Sequence, residues 1–292
     1  MQDIRNLVGV FVVLVLGLTW SGPALTHSPE TSDKTSGKDA ARSMKECLAL
    51  PHSYKKMVCL EPHFRALTRT QTAEIALLKA KKFQRTDRID DCHLIAHFIG
   101  EEVLNKHSAD LGKALAECSM DCNQGCVHGA VQTYISEKSD TDNITADLIS
   151  VCDTVSYDNR LRRQCIHGVG HGLLTGGLMP IAEAIESCHR FKGREISICL
   201  GGTFMENMQS HLLIPEAELR AELPLICNEV AQMGNERYLR WCADHIGGGL
   251  MFYTGHDLEK SYRLCRLLPA DQRPMCMVGI FGESKDVLEN LR

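Results

Sequence analysis

Residues 165–174 are CIHGVGHGLL, and related segments recur along the chain at a nearly constant step. Each begins with a cysteine and continues with small, glycine-rich residues: CVHGAV at 126–131, CLGGTFM at 199–205, CADHIGGGLM at 242–251 and CMVGIFG at 276–282. Together with Cys59 and Cys92, the leading cysteines are separated by 33, 34, 39, 34, 43 and 34 residues. A period of this length is typical of one helical hairpin in a repeat array.

The segments between these cysteines favour helices. The alternation of Val and Ile that is typical of strands is scarce, and prolines such as Pro215 and Pro269 mark helix boundaries. The sequence therefore predicts an all-α fold, an α-solenoid of about six helical hairpins of 33–43 residues that are stapled by disulfides. We place this helical-repeat domain at residues 46–292 and its first helix at residues 62–84.

The fourteen cysteines predict a disulfide framework. An even number of regularly spaced cysteines is typical of proteins that fold in an oxidising compartment. Six of the repeat cysteines follow another cysteine by 8 to 15 residues, and Cys92 and Cys122 then remain to pair with each other. The predicted bridges are Cys47–Cys59, Cys92–Cys122, Cys118–Cys126, Cys152–Cys165, Cys188–Cys199, Cys227–Cys242 and Cys265–Cys276.

The position of the local bridges indicates their role. The earlier cysteine of each local pair ends one hairpin and the later cysteine opens the next, so a bridge fixes a repeat on its neighbour. A structural zinc site is the competing hypothesis for Cys118, Cys122, Cys126 and His128, which lie close together in the sequence. That hypothesis does not account for the other cysteine pairs.

In repeat period and cysteine placement, residues 44–283 resemble the cysteine-rich secreted proteins built from Sel1-like repeats. In those proteins a disulfide staples successive helix pairs. The Leu-Gly, Tyr and Gly-x-Gly positions of the Sel1 consensus are not reproduced in this sequence. The resemblance therefore implies an architecture and carries no activity.

The N-terminus predicts export. Arg5 precedes an uncharged, apolar run from Leu7 to Trp20, and small residues follow as far as Ala24. This order is typical of a secretory signal, so residues 1–25 are predicted to be a signal peptide or, if uncleaved, an N-terminal membrane anchor. Residues 26–45 are polar and without apolar period, which predicts a flexible linker. We expect the bulk of the chain to be extracytoplasmic, either periplasmic or secreted.

The spacing of histidines suggests a metal site. His93 and His97 are four residues apart, as are His167 and His171, so each pair shares one face of a helix. Imidazoles at this spacing can converge on one metal ion. His128 follows Cys126 as His167 follows Cys165, and equivalent faces of stacked repeats are adjacent in space.

We therefore predict a site for a transition metal ion (iron, copper or zinc). Its predicted ligands are nitrogens of His93, His97, His128, His167 and His171, with Glu101 as an oxygen ligand or base. The competing interpretation is structural, because a histidine beside a disulfide can simply bond a carbonyl and repeat duplication would copy it. The set favours ligands, since three consecutive repeats carry these histidines and the last repeat, CMVGIFG, has none.

The helical glycines allow two interpretations. Each costs about 1 kcal/mol relative to alanine in a helix, so either close helix packing or room for a ligand must compensate. Packing is favoured, because the glycines extend into repeats without histidines. Glu206 lies on the same helical face as the glycines of its segment. A solvated glutamate is favoured there over a ligand for the metal.

Two classes of function follow from these patterns. The first is an extracytoplasmic metalloprotein with redox or hydrolytic chemistry, and the second is a repeat scaffold that binds a protein or peptide. A net charge of −5 with interspersed signs gives no basic surface for nucleic acid. The nucleophile elbow, the phosphate-binding loop and the His-Glu-x-x-His motif are also absent from the sequence. Contact with a membrane is expected only through an uncleaved N-terminal segment.

Overall fold

The computed structural model describes residues 42–51, 53–86, 88–137, 149–155, 159–212 and 214–290. The predicted signal segment and most of the predicted linker lie outside these residues. The described α-helices are α1 (Met44–Leu48), α2 (Ser53–Thr70), α3 (Ala73–Arg85), α4 (His93–Lys106), α5 (Leu111–Glu117), α6 (Gly125–Glu137), α7 (Asn159–Leu174), α8 (Ile181–Cys188), α9 (Arg194–Gln209), α10 (Glu216–Glu222), α11 (Asn228–Gln232), α12 (Glu236–Thr254), α13 (Leu258–Cys265) and α14 (Arg273–Asn290).

Local sequence signals set many of these boundaries. The side chains of Thr72, Asp110 and Asp257 each accept a hydrogen bond from a backbone N–H in the first turn of the helix that follows. Such caps satisfy amides that have no partner within the helix. The cap at Thr72 also explains why the helix predicted over residues 62–84 is two helices, α2 and α3. Gly255, at φ 67°, ends α12 in the left-handed conformation that glycine adopts without strain.

The predicted all-α fold is confirmed, because the described residues form helices and contain no strand. In the same part of the chain, no helix is both long and apolar enough to cross a membrane.

The longer helices pack against one another in chain order. The helix α2 contacts α4, which contacts α6, and the series continues through α7, α9, α12 and α14. Fully buried side chains such as Phe64, Ile99 and Phe204 lie in this packed core. The helix α12 also contacts α2, so an early and a late helix of the array meet. The site described below lies where α4, α6, α7 and α9 come together.

Reciprocal glycine contacts hold three pairs of neighbouring helices close together. A Cβ added at Gly100 of α4 would lie 2.0 Å from the Cys126 carbonyl oxygen, and one at Gly129 of α6 would lie 2.1 Å from the carbonyl oxygen of His97. The same reciprocal contact is made by Gly170 and Gly202 between α7 and α9, and by Gly247 and Gly279 between α12 and α14. Only residues without a side chain allow backbones this close, so the packing interpretation holds for these glycines.

The cysteines form the seven bridges that the sequence predicts, with Cα–Cα distances between 5.3 Å and 6.0 Å. No cysteine is free. Cys118, Cys122 and Cys126 therefore have no thiolate to offer, and the structural zinc hypothesis is wrong. Seven disulfides indicate an oxidising, extracytoplasmic environment. Local bridges such as Cys188–Cys199 join the end of one short helix to the next long helix.

Candidate metal centre

Five histidines from three neighbouring helices lie side by side in the core. The helix α4 supplies His93 and His97, α6 supplies His128, and α7 supplies His167 and His171. The glycine contact of α4 with α6 brings the first three together, because Gly129 lies one residue from His128 and packs on the backbone of His97. His97, His128 and His171 are buried, with 3%, 4% and 0% of their surface exposed.

These histidines form two groups of three that share His128. In the first group His93, His97 and His128 each place one ring nitrogen within 4.8 Å of the others, and His128, His167 and His171 do the same in the second. The two groups are adjacent, since the ring centroids of His97 and His171 are 5.3 Å apart. The structure therefore brings together all five histidines singled out in the sequence.

Within each group, two imidazoles face each other through the same atom. The Nε2 atoms of His93 and His97 are 3.1 Å apart, and those of His167 and His171 are 3.2 Å apart. Two imidazole nitrogens bound to one zinc ion at ~2.0–2.1 Å lie roughly 3 Å apart. The spacing of each pair therefore suits two ligands of a single ion.

A hydrogen-bond chain fixes the tautomer of His97. The Thr175 hydroxyl donates to the carbonyl of His171 at 2.9 Å and so accepts from Nε2 of Gln132 at 2.8 Å. The amide oxygen of Gln132 then faces Nδ1 of His97 at 3.0 Å. Because an amide oxygen only accepts, Nδ1 of His97 must donate, and its Nε2 carries a lone pair when the ring is neutral.

A backbone carbonyl fixes the tautomer of His93 in the same way. Its Nδ1 lies 3.1 Å from the carbonyl oxygen of Cys122, which can only accept, so Nδ1 is the protonated nitrogen. The Nε2 atom of neutral His93 therefore also carries a lone pair. When both rings are neutral, the two Nε2 atoms, 3.1 Å apart, have no hydrogen between them, and a cation bound by both nitrogens would stabilise this arrangement.

Hydrogen bonds also orient the second histidine pair, His167 and His171. His171 directs Nδ1 at the Glu206 carboxylate, 2.9 Å away, and the His167 ring bonds the backbone of Ile198. Ionised Glu206 accepts from Nδ1, which leaves Nε2 of His171 as a lone pair facing Nε2 of His167. Hydrogen bonds from the second ring nitrogen to a carboxylate or carbonyl are characteristic of metal-binding histidines.

His128 belongs to both groups. Its Nε2 lies 2.8 Å from the amide oxygen of Gln164, whereas its buried Nδ1 has no hydrogen-bond partner among the described residues. When Nε2 donates to Gln164, Nδ1 is a third lone pair in the cluster. Only one ion at a time can take that lone pair.

The imidazoles of this cluster do not readily take up protons. Burial, together with the charge of neighbouring imidazoles, lowers the pKa of His97, His128 and His167 well below the ordinary value, and lowers that of His171 to about 3. These rings are therefore neutral near pH 7, which is the form that binds a metal.

The carboxylate in contact with the cluster is Glu206 rather than the predicted Glu101. Glu101 belongs to neither group of histidines, and its carboxylate pairs with Arg65. Glu206 was expected to be solvated, yet its side chain is only 15% exposed and bonds His171. Burial raises the pKa of Glu206 to about 7. A carboxyl group that titrates near neutrality is suited to accept a proton.

Three polar residues around the histidines were not predicted from the sequence: Gln132, Gln164 and Thr175. Gln132 lies four residues after His128, and Thr175 lies four residues after His171. The same helical spacing that identified the histidine pairs could have found both. The contact of Gln164 with His128, across two helices, has no local signal.

No protein-family model, curated protein or solved structure matches this chain.

Proposed function

We propose that this chain is an extracytoplasmic metalloprotein that binds a transition metal ion through its histidine cluster. One observation carries the proposal: the Nε2 atoms of His93 and His97 lie 3.1 Å apart while Nδ1 of each ring faces an oxygen that only accepts. The unpaired Nδ1 of His128 supports it, because an orphaned buried nitrogen beside the pair is a third donor for the same ion.

The imidazole ligands limit which metal ions the cluster would bind and which chemistry those ions would support. Neutral imidazoles suit zinc, copper and iron, whereas magnesium and calcium prefer oxygen ligands. Three histidine ligands leave a coordination position for water or substrate, as in catalytic zinc sites. We therefore propose metal-assisted chemistry, hydrolytic with zinc and redox with copper or iron. In the hydrolytic case Glu206 acts as the proton acceptor.

Two features support the proposed location. Seven disulfides persist only where thiols are not kept reduced, and the apolar run at residues 7–20 has the form of a secretory signal or anchor. Fractionation of cells that express the full chain should place it outside the cytoplasm. Deleting residues 1–25 should leave it inside with reduced cysteines, and full oxidation of the deleted form in the cytoplasm would contradict this location.

The decisive test is metal retention by matched double variants. The protein purified from an oxidising compartment should bind one equivalent of zinc or copper(II) tightly, because the two groups share His128. His97→Ala with His171→Ala should abolish that binding. The control is His107→Ala with His211→Ala, since those histidines bond Glu117 and Glu222 away from the cluster. Equal metal content in the two double variants, or none in the unmodified chain after metal addition, would refute the proposal.

The alternative function is a disulfide-stabilised scaffold that binds a protein or peptide. Two exposed apolar side chains on one face of α14 favour it, Val278 at 52% and Phe281 at 65% exposure. Under this alternative, Phe281→Ser would reduce the capture of a partner, whereas the double histidine variant would capture it as well as the unmodified chain does.

A further inference from the structure

A second feature of the core is a cavity of about 390 Å³ that adjoins the histidine cluster. It lies among α2, α4, α9, α12 and α14, and His93 belongs both to its wall and to the first group of histidines. This volume is near the lower end of the range for small-molecule sites, about 300–1,000 Å³. The cavity is therefore suited to a small molecule held beside the proposed metal centre.

Most of the wall is apolar and adaptable. Met57, Met208 and Phe252 are among the side chains that line it, and Tyr54 stands at the α2 side. Methionine sulfur makes favourable contacts with aromatic rings, and its flexible side chain fits ligands of varied shape. The wall thus favours an apolar and preferably aromatic body.

The carboxylates of the wall set its charge. Asp91 and Asp244 line the cavity, and no lysine or arginine is among the described residues that do so. Asp91 is only 6% exposed. Two carboxylates in a largely apolar wall without a lysine or arginine favour a ligand that supplies a cation.

We propose that this cavity binds a small apolar amine, with its ammonium group at Asp91 and Asp244 and its body against Met57, Met208 and Phe252. The ammonium group neutralises the two carboxylates, and the apolar wall excludes water from that ion pair. His93 and His245 line the same cavity, so the bound amine lies next to the histidine cluster. That the amine is the substrate of the metal centre rests on the proposed function, whereas its binding does not.

One glycine in the wall offers a substitution that would fill the cavity and leave the surrounding helices in place. Gly248 lines the cavity from within α12, and a Cβ added there would meet no atom within 4 Å. Leucine at this position would extend into the empty volume. Gly112 is the matched control, because it is an exposed helical glycine remote from the cavity whose added Cβ would contact only Asp110.

The test is calorimetric titration of the disulfide-bonded chain, with and without zinc, using three probes of similar shape. These are 2-phenylethylamine, neutral 2-phenylethanol and anionic 3-phenylpropanoate. We expect the amine to bind at least about tenfold more tightly than the other two, as a charge-assisted hydrogen bond allows. Asp91→Asn should remove that preference, whereas Asp90→Asn, a change at the exposed neighbour, should leave it intact.

The cavity variants complete the test. Gly248→Leu should abolish binding of the amine without lowering the melting temperature, and Gly112→Leu should leave binding unchanged. Amine binding that survives Gly248→Leu, a preference for the acid, or no binding of any probe would overturn the proposal. Amine binding by a chain that takes up no metal would refute the proposed function alone. Metal uptake without amine binding would refute this inference alone.

Discussion

Gly129 packs on His97 so closely that an added Cβ would stand 2.1 Å from the His97 carbonyl oxygen and 2.7 Å from its Cα. Because Gly129 has no side chain, its repeat packs directly on the backbone of His97 in another repeat, and this contact positions the histidine. The fold and the candidate site depend on the same contact, because Gly129 adjoins His128.

Gly129→Ala should test this dependence. The methyl group would push α6 away from α4, and overpacking of this kind costs about 1–3 kcal/mol. We expect a lower free energy of unfolding in urea and weaker zinc binding. Gly112→Ala, a change on an exposed helical surface, should instead stabilise the chain by up to about 1 kcal/mol. Unchanged stability and zinc affinity in Gly129→Ala would contradict the close approach.

Two disulfides should differ in what their removal does. Cys92→Ala with Cys122→Ala should lower the stability by about 2–4 kcal/mol and also weaken zinc binding, because the Cys122 carbonyl holds His93. Cys265→Ala with Cys276→Ala should cost similar stability and leave zinc affinity unchanged. The comparison requires urea unfolding and zinc titration of both variants, and equal zinc affinities would show that the bridge at Cys92 does not support the site.

Substitutions at Glu206 and Glu101 should have different effects on metal binding. Glu206→Gln removes the carboxylate that orients His171 and should weaken metal binding by about 10–100-fold. Glu101→Gln breaks the ion pair with Arg65 and should affect stability but not metal affinity. If zinc titrations show the larger loss in Glu101→Gln, the assignment of the supporting carboxylate is wrong.

The stability of the metal-free protein should fall as the pH is lowered. The pKa values of His97, His128, His167 and His171 are all depressed in the folded state. Below the unfolded value of about 6.5 the unfolded chain therefore binds more protons, and each histidine removes up to about 1.4 kcal/mol per pH unit. Their contribution is complete above pH ~6.5 and is lost as the pH falls toward the folded values. Glu206, whose pKa is raised, partly offsets this loss.

Urea unfolding in the presence of a chelator, between about pH 7.5 and pH 5, would measure the slope. His97→Asn should make the slope shallower by the contribution of one histidine. A stability that is flat or that rises toward pH 5 in the unmodified chain would show that these imidazoles are not held neutral.

The sequence predicts the local features of this molecule well. Cysteine spacing gives all seven bridges, because each local pair lies within one hairpin junction and one pair remains. The i, i+4 histidines are found because a helix places them on one face. Glu206 was misjudged since its burial depends on α9 packing against α7, which nothing near Glu206 reveals. The contact between α2 and α12, and with it the cavity, joins helices far apart in the sequence, so no local pattern predicts it.

X-ray absorption spectroscopy of the zinc-loaded chain tests the central claim most directly. We predict a first shell with three imidazole nitrogens at ~2.0–2.1 Å, which His97→Ala with His171→Ala eliminates and His107→Ala with His211→Ala preserves. A first shell that contains only oxygen, or one identical in the two double variants, would contradict a metal centre built from these histidines.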